Sequence, residues 1–327
     1  MDALSEVLDS VQLGGAVFYN AEFTAPWGFR SPPSCDVAAF LRKAQHVIIY
    51  HLLLEGRART EVVESAERFD LGPGDIVVFP HGHAHIISNG RPPCIIDNSG
   101  QLKAIFSQGI TLARAGGGGE STRLVCGYMG CDQDMCRSFL TGLPPMFKVN
   151  IRNDPAGQWL ENSIKFSAGE TVKNRSGSDA VLSKLSEALF IETMRRYMAE
   201  LPEHQTGWLA GARDPAVGEA LASLHRAPEY AWTIANLAAK VGVSRSALAE
   251  KFRHYLGEPP MTYLSRWRLQ LGARMLTSTS YSVARIAGEV GYESEPAFNR
   301  AFKREYGDPP ARFRTQTKLA QKAVGAG

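Results

Sequence analysis

No apolar run in this chain of 327 residues approaches the roughly 20 residues that a membrane-spanning helix needs, and the longest runs carry charges or histidines. The opening stretch, MDALSEVLDS, is acidic and amphipathic, without the basic start and apolar centre of a secretion signal. A cytoplasmic protein is therefore expected. Cysteine is scarce too, with five in all: Cys35, Cys94, Cys126, Cys131 and Cys136. An odd number without a secretion signal argues against a disulfide framework. Cys126, Cys131 and Cys136 follow one another at five-residue steps, which is no zinc-finger spacing. Inert buried thiols and a metal or redox role both stay open for them.

Net charge is only +3, but it is unevenly spread. From Asp214 onward there are 16 Lys+Arg against 10 Asp+Glu, giving +6; the preceding part has 20 against 23, giving −3. A basic end on an acidic body points to an anionic partner for that end alone.

The chain changes character twice. AVFYNAEF, HVIIYHLLLEG, RARTEVVES, DIVVFP and RLVCGYMG are short β-branched or aromatic runs set off by turn residues, the last after a glycine-rich AGGGGEST loop. They predict an antiparallel barrel or sandwich closed by hairpins. From Met135 the apolar spacing becomes helical, most clearly in SDAVLSKLSEALFIETMRRYMAEL, with Leu182, Leu185, Leu189, Ile191, Met194 and Met198 on one face. Core packing or a dimer seam would each explain that face. Residues 203–213 read as a polar linker, and Asp214 as the N-cap of the next helix. The expected organisation is a β-rich part with its helical extension at 1–202, the linker, and a helical part at 214–320.

Beyond the linker the chain repeats itself. IANLAAKVGVSRSALAEKFRHYLGEPP begins at Ile234, and VARIAGEVGYESEPAFNRAFKREYGDPP begins at Val283. Leu237 matches Ile286, Ala238 matches Ala287 and Gly242 matches Gly291. After one inserted residue, Leu248 matches Phe298 and Phe252 matches Phe302. Each copy is a helix, a glycine turn and a second helix capped by Ser244 or Ser294, and MTYLSRWRLQLGARMLT joins them. A rigid connector suits two reading helices entering successive major-groove faces about 34 Å apart. This end resembles the AraC/XylS regulators over about Pro228 to Arg314. The resemblance implies that the exposed faces of the second helices read double-stranded DNA and that RNA polymerase is a partner. Carried onto this sequence, the first face is Arg245, Ser246, Ala249, Glu250 and Arg253, and the second Ser294, Glu295, Asn299, Arg300 and Lys303. Arginine suits guanine, asparagine adenine and glutamate cytosine, whereas Ala249 is a poor reader.

The stretch GDIVVFPHGHAHIISN fits the second cupin motif, with Gly74, Pro80, Gly82, His85 and Asn89 at every fixed place. The glutamate of the earlier cupin motif is replaced by Ile49 and no HxH pair precedes it, so the usual ligand set of cupin enzymes is absent. His51 lies two residues on and shares the interior side. His51, His85 and Cys126, with His83, form a nitrogen and sulfur set suited to zinc; buried polar residues are the alternative. A thiolate ligand would be oxidisable, with Cys131 and Cys136 as candidate partners for oxidised Cys126. Residues 1 to 200 are similar to the cupin-like sensor domain of one subgroup of these regulators. The expectation is an α+β chain of two parts, a cupin-like β-barrel with a helical extension and an all-α double helix-turn-helix domain. Its effector would be a small molecule, metal or oxidant, and a homodimer is a candidate state. The rival is a cupin metalloenzyme fused to a DNA-binding domain.

Overall fold

The computed structural model describes residues 2–11, 14–38, 46–90, 95–97, 111–172 and 176–325. They form two compact units. One holds 12–136 and 143–201; the other gathers three stretches, 1–11, 137–142 and 202–327.

The first unit is a two-sheet jelly roll. Its larger sheet contains β1 (Gly14–Thr24), β3 (His46–Glu55), β6 (Asp75–Phe79), β9 (Thr111–Gly116), β10 (Ser121–Cys131) and β11 (Phe147–Asn150), in the order β11-β6-β3-β10-β1-β9. The smaller sheet contains β2 (Trp27–Ser31), β4 (Ala58–Val62), β5 (Arg68–Leu71), β7 (His85–Asn89) and β8 (Ile96–Asp97), in the order β5-β4-β7-β2-β8. β3 is buried from Val47 to Leu54 on both faces, as its unbroken apolar run requires. Its inner residues Val47, Ile49 and Leu53 join Phe23, Trp27, Phe29, Phe79 and Ile87 in the core between the sheets. On the outer face Tyr50 donates to Ser186 Oγ at 2.9 Å. Ser186 lies on a long helix at Ser178–Glu200.

The pairing is not wholly antiparallel. β9 and β10 flank β1 on either side, and consecutive strands that run opposite ways around a third must leave one of them parallel to it; β9 is that strand. The glycine-rich loop makes the crossing. Gly117 and Gly119 donate to the carbonyls of Thr24 and Ala25, and Gly116 sits at φ +129 with no room for a side chain against Thr24 O. β8 likewise runs parallel to β2.

Several expectations need correction. The helix Ser178–Glu200 buries Leu182, Ser186, Leu189, Phe190, Thr193 and Met194, whereas Ile191 faces water. Its buried face is turned toward Ser186 and Thr193, whose hydroxyls are satisfied there, Ser186 by accepting from Tyr50 and Thr193 by donating to the Leu189 carbonyl. The supposed linker is not one: Trp208–Arg213 is a helix whose first four residues are buried. Cys131 and Cys136 form a disulfide, because β10 turns at once into the helix Gln133–Leu140 and brings their Cα atoms to 6.6 Å. Cys94 lies outside the described residues.

The second unit is all-α among the described residues and includes helix α1 (Ala3–Val11), against the expected grouping of 1–202. α1 buries Leu4, Val7, Leu8 and Val11, and Glu6 pairs with Arg226 at 2.8 Å. Arg226 ends a helix at Pro215–Arg226, capped as expected by Asp214, whose carboxylate accepts from the Ala216 and Val217 amides. A buried polar group joins this helix to its neighbours: Trp208 Nε1 donates to the Tyr263 hydroxyl at 2.9 Å, and that hydroxyl meets His225 Nε2 at 2.8 Å.

Candidate functional site

Two places bring chemistry-bearing side chains together. The first is the pair of helix-turn-helix units. Ile234–Lys240 and Arg245–Leu256 form one; Val283–Glu289 and Glu295–Tyr306 form the other. In each, the matched positions are the packed ones: Leu237, Ala238, Leu248 and Phe252 are buried, as are Ile286, Ala287, Phe298 and Phe302. Gly242 and Gly291 take φ +70 and +85 in the turns, a region that favours glycine. Ser244 and Ser294 cap the second helices by accepting from the Ala247 and Ala297 amides. The connecting helix, Pro260–Ser278, has 19 residues and so is about 28 Å long.

On the outward side the expected faces are present. Arg245, Ser246, Glu250 and Arg253 are exposed and Ala249 half-buried; Ser294, Glu295, Arg300 and Lys303 are exposed and Asn299 half-buried. Ser246 Oγ is 3.1 Å from the capping hydroxyl of Ser244. The cations divide into two groups. Lys251, Arg266, Arg285 and Arg312 are paired with Asp214, Glu258, Glu289 and Asp308. Arg268 and Arg314 donate to backbone carbonyls and tie helices together. Arg245, Arg253, Arg300 and Lys303 have no acidic partner among the described residues, which leaves their charge for a phosphate or a base edge.

The second place is the barrel core. Register sets Cys126 on β10 directly opposite His51 on β3, and β7 in the other sheet carries His85. All three are buried. His51 Nδ1 lies 2.7 Å from Cys126 Sγ, and its Nε2 lies 2.7 Å from His85 Nε2. His85 Nδ1 donates to the His83 carbonyl at 2.8 Å, and Phe79 stacks flat on the His85 ring at 3.6 Å. Burial holds the His51 imidazole well below its ordinary range, helped by repulsion from His85. Burial also pushes His85 down to about 4 and the Cys126 thiol well up.

His83 does not join them. It precedes β7 in a turn, where alternation of side chains does not hold, and its ring faces Glu64 at 3.8 Å. What His83 contributes is its backbone carbonyl, which no residue type signals. Cys131 and Cys136 are bonded to each other, so neither is a partner for Cys126, whose neighbour is His51. The motif's Asn89 is architectural: its amide and the Trp27 indole both donate to Thr122 Oγ1. As the rings stand, His51 spends one nitrogen on each side. Among the described residues no three His, Cys, Asp or Glu side chains surround a point that one metal ion could occupy.

A jelly-roll domain followed by two outward-facing helix-turn-helix units defines a DNA-binding transcription regulator. Comparison with known proteins is specific about the kind. A family model described as Cupin matches residues 2–199, and one described as Helix-turn-helix domain matches 237–316. The HTH-type transcriptional regulator AlkR of Acinetobacter baylyi is 30% identical over 97% of this chain and 100% of its own length. An AraC-like transcription regulator of Streptomyces lividans is 32% identical over 83% of this chain and 88% of its own. The RCS-specific HTH-type transcriptional activator RclR of Escherichia coli is 29% identical over 97% and 99%. The chain belongs to the AraC-type regulators with an amino-terminal cupin domain. Its kinship with regulators throughout its length decides against the metalloenzyme reading. No helix among the described residues is long and apolar enough to cross a membrane.

Proposed function

We propose that this regulator works as a homodimer beside RNA polymerase, in the cytoplasm with the chromosome, and that the jelly-roll core receives its signal. The observation that carries the DNA half of this reading is the selective pairing of cations. Lys251, Arg266, Arg285 and Arg312 are neutralised and Arg268 and Arg314 are bonded to carbonyls, while Arg245, Arg253, Arg300 and Lys303 on the two reading helices have no acidic partner among the described residues. The sensing half rests on the neutral His51, His85 and Cys126 group sealed in the barrel, a hydrogen-bonded polar cluster in an otherwise apolar core. Its donors suit a metal, and its thiol suits an oxidant. A relative whose name marks it as RCS-specific supports a reactive effector.

Sequencing the DNA that the full-length protein selects from a random pool tests the reading. The expected sites contain two short elements about one helical turn, or about 34 Å, apart. Recovery of DNA without sequence preference would overturn it.

A further inference from the structure

We propose that Arg268 and the close approach at Gly291 clasp the two helix-turn-helix units together, and that this clasp fixes the spacing of the two DNA elements the regulator accepts.

A connecting helix sets the distance between its own ends. Each unit is joined to it through a short loop, however, and is free to swing about that joint unless a further contact holds it. The first unit is held ahead of its first helix, where residues 227–232 form a turn stiffened from within. The Tyr230 amide and the Trp232 indole both donate to the Ala227 carbonyl, at 3.2 and 2.9 Å, and the Trp232 amide donates to the Tyr230 carbonyl at 2.7 Å. Asn236 in the helix donates from its side chain to the Ala231 carbonyl at 3.3 Å, which ties turn to helix. Arg268, near the middle of the connecting helix Pro260–Ser278, grips this turn twice. Its Nε donates to the Pro228 carbonyl and its Nη2 to the Tyr230 carbonyl, each at 2.7 Å.

The second unit closes on the same place. Its turn glycine, Gly291, lies so near that a Cβ there would sit 2.8 Å from the Pro228 oxygen, from Glu229 Cα and from Arg268 Nη2. Two of those three atoms are backbone, which has no rotamer to yield. The connecting helix is also seated on the second reading helix: a Cβ on Gly272 would lie 2.8 Å from Phe298 Cζ. The lead-in to one unit, the middle of the connector and the turn of the other unit thus meet at one point. The glycine turn does not demand this by itself, because the matched Gly242 of the first unit has nothing within 4 Å.

The side chain suits the task. Two N–H groups on one planar guanidinium hold two carbonyls in a fixed relation, which the single point charge of a lysine does not. Arg268 is half-buried and spends both donors on the turn, so it is a positioning residue and reads no base. One added base pair moves the second DNA element by about 3.4 Å and turns it by about 35° around the duplex. A clasped pair of units cannot follow that displacement, whereas a pair free to swing follows part of it. The clasp therefore turns a need for two elements into a need for one spacing. This inference rests on the two-element site proposed above.

The test uses full-length protein and duplexes that carry the two selected elements, with the spacer lengthened or shortened by one or two base pairs, at fixed salt. Wild type should lose about tenfold in affinity for each base pair of misfit, the scale of a mismatched base. In Arg268→Ala and in Gly291→Ala the loss should shrink to about threefold or less, as expected when a stiff linkage is loosened. The charge lost with Arg268 weakens binding to every duplex alike and cancels in the ratio. Gly242→Ala carries the same left-handed backbone penalty without the close approach, and should keep the wild-type ratio. Melting curves on the same samples report stability separately. Should one variant fail to fold, the other decides, as does Arg268→Lys, which keeps the charge and should fall between wild type and Arg268→Ala. A wild-type ratio in a folded Arg268→Ala or Gly291→Ala, or an equal flattening in Gly242→Ala, would overturn the clasp and leave the two-element reading standing. Selection of a single element by the wild-type protein would overturn that reading and the clasp with it.

Discussion

At the scale of single residues, the two sites differ in how openly they were written. Arg300 was legible because the second repeat fixes which face of its helix is outward, and the structure leaves its guanidinium exposed without an acidic partner. Arg300→Ala should cost about 1–3 kcal/mol on the preferred sequence and relax the choice of base at one position. Equal affinity and equal preference at fixed salt, measured by titration against wild-type and altered sites, would refute that role. His51 and His85 were legible by strand alternation, whereas His83 was not, since alternation ends where the strand does. His225 gave no signal at all, because its importance comes from residues far along the chain that enclose it. Burial pushes it down to about 3. Its imidazole stays neutral in the fold, while the unfolded chain takes up a proton below about 6.5. Its contribution to stability is therefore complete above that pH and is lost as pH falls toward 3, by up to ~1.4 kcal/mol per pH unit. His225→Phe keeps a ring against Trp267, 4.2 Å away, and removes the titration. Urea midpoints read by tryptophan emission should then fall less between pH 7 and pH 5 than in wild type; equal falls would contradict the assignment.

Among elements, those specified locally were easiest to foresee. Both helix-turn-helix units carry their own caps, glycine turns and apolar positions, and they occur where the sequence places them. Residues 203–213 misled because small and polar residues resemble a linker, while Trp208 is buried by the Tyr263 and His225 group that arrives from two later helices. The glycine-rich loop was recognised as a turn, but its reason is the crossing over the end of β1. Two substitutions separate those meanings. Gly116→Ala would set Cβ 1.8 Å from the Thr24 carbonyl oxygen at φ +129. Gly118 has open space at φ +86, so Gly118→Ala meets only the left-handed backbone penalty of roughly 1 kcal/mol. Gly116→Ala should be the costlier by about 1–3 kcal/mol. Comparable melting temperatures for the two variants would count against the crossing as the loop's constraint.

For the whole molecule, the helix Pro155–Val172 leaves Trp159 63% and Phe166 66% exposed, two turns apart on one face. The homodimer proposed above would have in this face a seam that takes two aromatic side chains out of water. Replacing both with serine should shift sedimentation from dimer to monomer; a dimer that survives the change places the seam elsewhere. The assembly of the DNA-binding unit from three stretches has a further consequence, one of time. Helix α1 leaves the ribosome before the jelly roll, and its partner at Pro215–Arg226 follows about 200 residues later. At 5–20 residues per second that delay is on the order of 10–40 s. Throughout it, Leu4, Val7 and Leu8 have no native surface to cover them, while the whole jelly roll is synthesised in between. A helix made before the jelly roll is thus among the last elements to find its place, and the DNA-binding unit is complete only after the jelly roll has had time to fold.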